Sequence, residues 1–142
     1  MKVLVDTTVW SAAFRRSKVS PTAEAKELHC LVSDFEATLI GAIRQELLSG
    51  IKDEKQYSLL RDLMRAFPDE PIEREDYERA AGFLNTCRSK GIQGTNTDFL
   101  ICAVAARGGH PIFTMDEDFL RYAKHLPIRL HRIGKSSMKV VR

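Results

Sequence analysis

The sequence contains few cysteines and none of the spacings that common zinc sites use. Its three cysteines, Cys30, Cys87 and Cys102, are odd in number and widely separated, with no CxxC pair. Its four histidines show neither HxH nor HExxH spacing. A disulfide framework and a zinc site are therefore not predicted, and a reducing, cytoplasmic environment fits this cysteine usage best.

The sequence also lacks a long hydrophobic run and a strong net charge. No apolar stretch approaches the roughly 20 residues that a membrane-spanning helix needs, and the first one meets Asp6 too soon for a signal peptide. The net charge of +3 permits an anionic partner such as RNA without requiring one. With 142 residues, 44% of them hydrophobic, the chain is predicted to form one folded domain with a buried core.

Strand and helix patterns alternate along the chain. The predicted strands cover residues 3–5, 37–42, 111–115 and 128–133, with a short further strand beginning at Ile72. The predicted helices cover residues 20–32, 44–49, 53–67, 74–87, 97–106 and 117–123, with N-caps at Ser20, Asp53 and Thr97. This alternation predicts a single α/β domain with a central, mostly parallel sheet flanked by helices.

Acidic residues stand at or just after four of these elements. Asp6 follows the first strand, Glu46 lies in the turn after the second, Asp98 lies in the first turn of the most apolar helix, and Asp116 follows the 111–115 strand. Ligands of parallel sheets bind beyond the carboxyl ends of the strands. Taken singly, Glu46, Asp98 and Asp116 are explained by capping, the helix dipole or a solvated helix face. Asp6 is harder to explain, because an unpaired buried carboxylate costs several kcal/mol.

Taken together, the four acids predict a cation site. Carboxylates gathered at one sheet edge repel one another, and a divalent cation offsets that repulsion. Hard oxygen ligands favour Mg²⁺ or Mn²⁺ over zinc. Thr7 and Thr114 would add hydroxyls that hold a carboxylate or a bound water. Such a site suits phosphodiester hydrolysis, because a cation can polarise the phosphate, activate a water and stabilise the leaving oxygen.

Four segments, VLVDTTVW, IRQELLSG, GTNTDFLICAVAARGG and IFTMDEDF, occur in an order that resembles the PIN domain family, in particular the VapC-type toxins of toxin–antitoxin modules. The resemblance covers about residues 2–133. It implies a metal-dependent ribonuclease that inhibits translation or growth, a homodimer, and a cognate antitoxin that covers the active site. We assign this PIN-like nuclease domain to residues 1–134 and a short basic tail to residues 135–142. The site residues that the resemblance implies are the acids Asp6, Glu46, Asp98 and Asp116, the additional acid Asp118, and the hydroxyl residues Thr7 and Thr114.

The predicted function is therefore an endoribonuclease in which the three aspartates bind one or two Mg²⁺ or Mn²⁺ ions and Glu46 completes the cluster. Either Glu46 or Asp98 is expected to orient the attacking water. Outside the acidic cluster, a basic patch of Arg15, Arg16 and Lys18 is a candidate RNA contact, with a solvated surface as the alternative. The apolar helix faces between residues 20 and 67 either hold an antitoxin helix or belong to the core.

Two other functions are compatible with the same residues. The first is a phosphatase of the haloacid-dehalogenase type with Asp6 as nucleophile, although Thr8 stands where that site usually has its second acid. The second is a non-catalytic α/β protein-binding module, in which the acids are dispersed capping and salt-bridge groups. If the four acids point to separate surfaces, this second alternative is favoured.

Overall fold

The computed structural model describes residues 1–14 and 21–133. Its centre is a parallel sheet of strands β1 (Val3–Val5), β2 (Ala37–Thr38) and β3 (Ile112–Phe113), in the order β2-β1-β3. Single bridges at Leu39–Asp69 and Ile112–Leu130, both parallel, extend the pairing at the two edges. Val3 to Val5 are all buried, as expected for a strand covered on both faces. The predicted fold class is confirmed.

Helices pack on the sheet and on one another. They are α1 (Thr7–Phe14), α2 (Ala23–Ser33), α3 (Gly41–Leu48), α4 (Glu54–Met64), α5 (Arg74–Ser89), α6 (Asn96–Gly108) and α7 (Asp118–Ala123). Helix α6 is the most buried, with Phe99 and the stretch from Ile101 to Ala105 inside the core. It packs along α5, while α1 packs against α2 and α3. The apolar segment that the sequence marks as a central helix is therefore central in the fold.

Two predictions around the first two strands are wrong. No helix was predicted over residues 7–14, yet α1 begins directly after Asp6 and buries Val9 and Trp10. The β-forming residues of this segment are overridden by packing, since the Trp10 indole N–H donates to the Val5 carbonyl at 3.0 Å. The predicted 37–42 strand is also too long, because the chain turns into α3 at Gly41. Its last apolar residues are buried by the turn rather than by a strand.

Two other helices begin at N-caps that differ from the predicted ones. Helix α2 is capped by Thr22, not by Ser20 before a first-turn proline, and α6 is capped by Thr95, not Thr97. The predicted Asp53 cap of α4 is confirmed, since its side chain accepts from the Gln56 N–H. The predicted strand at 128–133 is reduced to the single bridge at Leu130, and no strand forms at Ile72. Short patterns locate these segments but do not decide which of two neighbouring hydroxyls caps a helix.

Two of the predicted features lie in parts of the chain that the structure does not describe. The predicted basic patch of Arg15, Arg16 and Lys18 and the tail at 135–142 lie outside the described residues. Within the described ranges, no helix is long and apolar enough to span a membrane.

The three cysteines are free thiols, with Cys87 and Cys102 buried. Burial raises the pKa of the Cys102 thiol far above its ordinary value, so this thiol stays protonated.

Candidate active site

Asp6 is a buried carboxylate held by neutral donors. It follows β1, is only 5% exposed, and donates its backbone N–H to the Phe113 carbonyl at 2.8 Å. Its Oδ2 accepts hydrogen bonds from the Thr8 hydroxyl at 2.9 Å and the Thr114 hydroxyl at 2.8 Å. These donors orient the carboxylate without neutralising its charge. The site therefore retains a negative charge in a place where charge is costly.

The two threonines also link the ends of β1 and β3. Thr8 Oγ1 accepts from the Met115 N–H at 3.0 Å, and Thr114 Oγ1 accepts from the Asp116 N–H at 3.0 Å. The two hydroxyl oxygens lie 3.4 Å apart. This network fixes the backbone that carries Asp116 relative to the carboxylate of Asp6, although the two residues are far apart in sequence.

Thr7 contacts a different acid from the one expected. The resemblance places its hydroxyl beside Asp6, but the hydroxyl donates to Glu46 Oε1 at 2.6 Å, and Thr8 is the residue that reaches Asp6. The physical reason is that α1 begins at Thr7, so consecutive side chains point about 100° apart around the helix axis. The Thr7 hydroxyl thereby links α1 to Glu46 on α3.

Asp98 enters the same region from the first turn of α6. Its backbone N–H donates to the Thr95 cap at 3.0 Å, and its Oδ2 accepts from the Tyr122 hydroxyl at 2.8 Å. Burial raises the pKa of the Asp98 carboxyl above its ordinary range. The hydrogen bonds from Tyr122 and Thr95 oppose this shift, while the negative charges of Asp6 and Asp116 add to it. Asp98 is thus electrostatically coupled to both strand-end acids.

Asp118 lies beside the site without entering it. Its backbone N–H donates to Asp116 Oδ1 at 2.9 Å and so orients that carboxylate. Its own side chain is about half exposed and pairs with the Arg121 guanidinium at 2.5 Å. Asp118 therefore supports Asp116 through the backbone, and its side chain does not line the cavity described next.

The four predicted acids line one polar cavity of about 580 Å³. The residues around it come from the start of α1, one face of α3, the start of α6 and the end of β3. They are Asp6, Thr7, Thr8, Ala42, Gln45, Glu46, Ser49, Thr97, Asp98 and Asp116. No lysine, arginine or histidine is among these lining residues. Among the described residues, the polar groups that the cavity offers to a ligand are therefore carboxylates, hydroxyls and one amide.

The donor chemistry of the cavity fits a hard divalent cation. The hydrogen bonds of 2.8–2.9 Å to the three aspartates reach Oδ2 of Asp6, Oδ2 of Asp98 and Oδ1 of Asp116. The other oxygen of each is a candidate ligand of the kind that Mg²⁺ and Mn²⁺ prefer. Among residues 1–14 and 21–133, no three acidic, histidine or cysteine side chains are already close enough to hold a metal ion. The four acids therefore share one cavity without forming a compact cluster.

Several residues of the site were not predicted from the sequence. Gln45 lies on α3 and Ser49, four residues later, is its C-cap, so helical spacing was the available signal. Thr97 was predicted to be a cap, and correct placement of the cap at Thr95 turns it into a cavity residue. To predict Thr8 as a site residue, one would need to know that a helix begins directly after Asp6. For Tyr122, no local pattern gives a signal.

Comparisons with known proteins agree with the geometry. The sequence profile of the PIN domain family matches residues 3–125. Among solved structures, FitAcB from Neisseria gonorrhoeae contains a chain that is 16% identical, with 92% of this chain and 96% of that chain covered and a TM-score of 0.70. VapBC2 from Rickettsia felis, solved with a DNA fragment from its promoter, contains a chain that is 15% identical, with 92% and 98% covered and a TM-score of 0.71. At these identities the similarity shows the fold.

The family match spans most of the chain and includes the elements that carry all four acids. The predicted family is therefore confirmed, and the likeness in fold to chains of the FitAcB and VapBC2 structures is consistent with it. The chain belongs to the PIN domain family, which implies a hydrolase of the nuclease class.

Proposed function

We propose that this chain is a divalent-cation-dependent endoribonuclease and the toxin of a toxin–antitoxin pair that inhibits translation or growth. The observation that carries the proposal is the convergence of Asp6, Glu46, Asp98 and Asp116 on one cavity, whose lining within residues 1–14 and 21–133 contains no basic residue. Four carboxylates together are costly unless a cation joins them. A binding surface or a packed core does not need this arrangement, whereas metal-assisted cleavage of a phosphodiester uses it.

Mg²⁺ or Mn²⁺ is the proposed cofactor, in one or two copies. Nucleases of the PIN domain family typically use divalent metals. Asp6, Asp98 and Asp116 would hold the cation through their carboxylate oxygens, and Glu46 would complete the cluster. When bound, the cation supplies charge stabilisation of the phosphate and lowers the pKa of a water molecule.

The chain's own residues then position the reacting groups. The Thr8 and Thr114 hydroxyls fix the Asp6 carboxylate, and the Thr7 hydroxyl fixes Glu46 at the opposite wall of the cavity. Glu46 or Asp98 orients the water that attacks phosphorus in line with the leaving oxygen and accepts its proton. Fixed carboxylates reduce the reorganisation that the reaction needs, which is how such a site lowers the barrier.

RNA is proposed as the substrate because the motifs resemble those of VapC-type toxins. Arg15, Arg16 and Lys18 follow α1, whose first residues line the cavity, and we propose that they contact the RNA backbone. Replacing all three by alanine should weaken RNA binding and flatten its salt dependence, measured by fluorescence anisotropy from low to physiological salt. An unchanged salt dependence would assign these residues to solvated surface.

An antitoxin is the proposed protein partner. An apolar groove of about 610 Å³ between α1, α2 and α4 is bordered by Trp10, Phe14, Leu28, Leu63 and Phe67, among others. Phe14 and Leu63 also border a second groove of about 700 Å³ along α4, so the two grooves are adjacent. An amphipathic helix fits a groove of this kind. Replacing Leu63, which is 52% exposed, by glutamate should abolish co-purification with the product of an adjacent reading frame while RNA cleavage persists.

A homodimer and a cytoplasmic location are also proposed. The dimer rests on the resemblance to VapC-type toxins, and the location rests on the cysteine usage. Sedimentation equilibrium of the purified chain tests the dimer, with a monomer at all concentrations as the contrary result. Fractionation of cells that express the chain tests the location.

The central experiment measures RNA cleavage by the purified chain with Mg²⁺, with Mn²⁺ and with a chelator. Asp6→Asn and Asp98→Asn should each reduce cleavage by at least about a hundredfold while the fold survives. Asp62→Asn is the matched control, because Asp62 is an exposed acid on α4 outside the cavity. A matched DNA strand tests the choice of nucleic acid. A wild-type chain that cleaves no RNA with either cation, or an Asp98→Asn variant that cleaves at the wild-type rate, contradicts the proposal.

The two alternative functions are less well supported. A haloacid-dehalogenase phosphatase needs an acid two residues after Asp6, whereas the hydroxyl of Thr8 occupies that position and donates to Asp6. Failure to trap an aspartyl-phosphate on Asp6 would remove that alternative. A non-catalytic binding module predicts acids on separate surfaces, and the four acids line a single cavity.

A further inference from the structure

Tyr122 is a buried tyrosine whose hydroxyl contacts the proposed cation site. It lies on α7, is fully buried, and packs its ring on Phe99 and Phe119 at centroid distances of 4.8 and 5.1 Å. Its hydroxyl donates to Asp98 Oδ2 at 2.8 Å, while the next acceptor, the Gln93 carbonyl, is 3.5 Å away. A phenol carries one proton, so the shorter contact takes it.

Gly94 makes room for this hydroxyl. A Cβ atom at position 94 would lie 2.4 Å from the Tyr122 hydroxyl oxygen and 2.8 Å from two ring carbons of Phe99. Both distances are far below van der Waals contact, so a side chain at this position would displace one ring or both. The backbone at Gly94 therefore covers Tyr122 closely and holds its hydroxyl against Asp98.

Ring packing alone does not explain why residue 122 is a tyrosine. The contacts with Phe99 and Phe119 involve only the ring, and a phenylalanine would make them without burying a hydroxyl. The hydroxyl brings a polar atom into the core and requires a glycine above it. The hydroxyl makes one hydrogen bond, to an oxygen of Asp98. Asp98 lines the cavity together with the strand-end acids Asp6 and Asp116.

We propose that Tyr122, held in place beneath Gly94, is the positioning residue of Asp98: by holding Oδ2 it fixes the orientation in which the carboxylate would meet a cation. The inference rests on the proposed function, because it assigns Asp98 to the cation. Tyr122 touches neither cation nor RNA in this scheme and acts only through the carboxylate. Partners of this kind fix the orientation of a ligand before the cation arrives, and their loss weakens metal binding by about 10- to 100-fold.

The first test is Tyr122→Phe in the full chain, with Mn²⁺ affinity measured by calorimetry and apo stability by thermal melting. We expect Mn²⁺ affinity to fall about tenfold or more, and RNA cleavage at saturating RNA to fall with little change in the apparent affinity for RNA. The control is Tyr77→Phe, since Tyr77 is 58% exposed on α5. Equal Mn²⁺ affinity of Tyr122→Phe and wild type would overturn the inference.

A second variant moves the hydroxyl without removing it. Gly94→Ala should also weaken Mn²⁺ binding, because the new methyl displaces the phenol. Gly82→Ala is its control, as a Cβ there meets no atom within 4 Å. Unchanged Mn²⁺ affinity in Gly94→Ala would contradict the proposed role of Gly94 as the cover of the hydroxyl.

A measurement on the intact Tyr122 keeps the inference testable if either variant unfolds. The chain has three tyrosines, so Tyr57→Phe with Tyr77→Phe leaves Tyr122 alone. With tyrosine isotope-labelled at Cζ, the single NMR signal should shift on titration with Mg²⁺, at the same midpoint as calorimetric binding. A signal that stays fixed while Mg²⁺ binds overturns the inference. A wild-type chain that binds no divalent cation overturns the proposed function itself, so the two failures are distinguishable.

Discussion

Asp76 and Asp98 lie on the neighbouring helices α5 and α6, yet their carboxylates are held in opposite ways. Asp76 is 2% exposed; its two carboxylate oxygens share the Arg107 Nε–H, at 2.8 and 3.1 Å, and Oδ2 also accepts from the Glu73 N–H at 2.8 Å. The hydrogen-bond partners of the Asp98 carboxyl are neutral groups, the Tyr122 hydroxyl at 2.8 Å and the Thr95 side chain. One carboxylate has a cation built into the protein, and the other does not.

The pKa values move in opposite directions for this reason. Burial alone raises the pKa of Asp76, but the hydrogen bonds from Arg107 and Glu73 and the charges of Arg107 and Arg79 outweigh it, so the pKa is lowered. Burial raises the pKa of Asp98, and no cation offsets it. The comparison teaches that a satisfied buried acid is a structural element, whereas an acid left with neutral donors is a candidate ligand.

The largest expected effect concerns the Asp76 region. Arg107→Met leaves Asp76 buried without its guanidinium, and it also removes the donor to the Pro71 carbonyl that ties α6 to the start of α5. We expect the free energy of unfolding to fall by about 3 kcal/mol, measured by urea denaturation at neutral pH. Arg121→Met is the matched control, because it breaks an exposed pair with Asp118 and should cost less than about 1 kcal/mol. Equal losses would remove the distinction between the two kinds of acid.

The second prediction concerns function rather than stability. Thr114→Val removes the hydroxyl that donates to Asp6 and accepts from the Asp116 N–H, while keeping the side-chain volume. RNA cleavage should fall about tenfold, equivalent to about 1.4 kcal/mol in the barrier, because both strand-end acids lose a fixed orientation. Thr114→Ser should retain most of the activity. If valine and serine behave alike, orientation by this hydroxyl is not required.

The third prediction uses pH in the metal-free protein. The pKa of Asp98 in the folded state is raised above its ordinary value of 3.8, so the folded state holds this proton more tightly than the unfolded state. At pH values above 3.8, ionisation of Asp98 therefore lowers the free energy of unfolding. Asp98→Asn should raise the free energy of unfolding at pH 7 in the presence of a chelator, and the gain should vanish below about pH 3.8. A destabilised variant at pH 7 would show that the carboxylate has a partner of its own.

The smallest expected effect is the acid response of Asp76. Its folded-state pKa is lowered below 3.8, so its stabilisation is complete above that value and is lost as the pH falls through the lower one. As the pH falls from 5 to 2, the free energy of unfolding should therefore decrease more steeply for wild type than for Asp76→Asn. Equal slopes would show that the ion pair contributes no pH-dependent stability.

Much of the fold was predictable because its signals are local. Val3 to Val5 mark a strand covered on both faces, the apolar run before Gly108 marks a central helix, and Asp53 marks a helix start. All of these depend on periodicity or on contacts within a few residues. Helix α1 was not predictable in this way, because its residues favour strands and only the packing of Val9 and Trp10 makes them helical.

The candidate site likewise has features that local sequence signals predict and features that depend on tertiary packing. The sequence by itself determined that Asp6, Asp98 and Asp116 stand at the ends or starts of their elements, and its ordered motifs determined the family. Glu46 was predicted in the turn after the second strand, but it lies inside α3, because that helix begins earlier than predicted, at Gly41. It also predicted the two hydroxyl positions that hold carboxylates, but not which acid each one reaches. Helix phase decided that point when α1 began at Thr7, since Thr7 then faces Glu46 and Thr8 faces Asp6.

Only the tertiary structure decided the pairs that hold the acids. Thr114 and Asp6 are 108 residues apart in sequence, and Tyr122 and Asp98 are 24 apart, with Gly94 closing over that contact from a third segment. No local pattern encodes such a pair, because it exists only when a parallel sheet brings strand ends together and helices pack across it. The order of elements thus fixes which sheet edge receives the carboxylates, and close packing fixes the direction in which each one points.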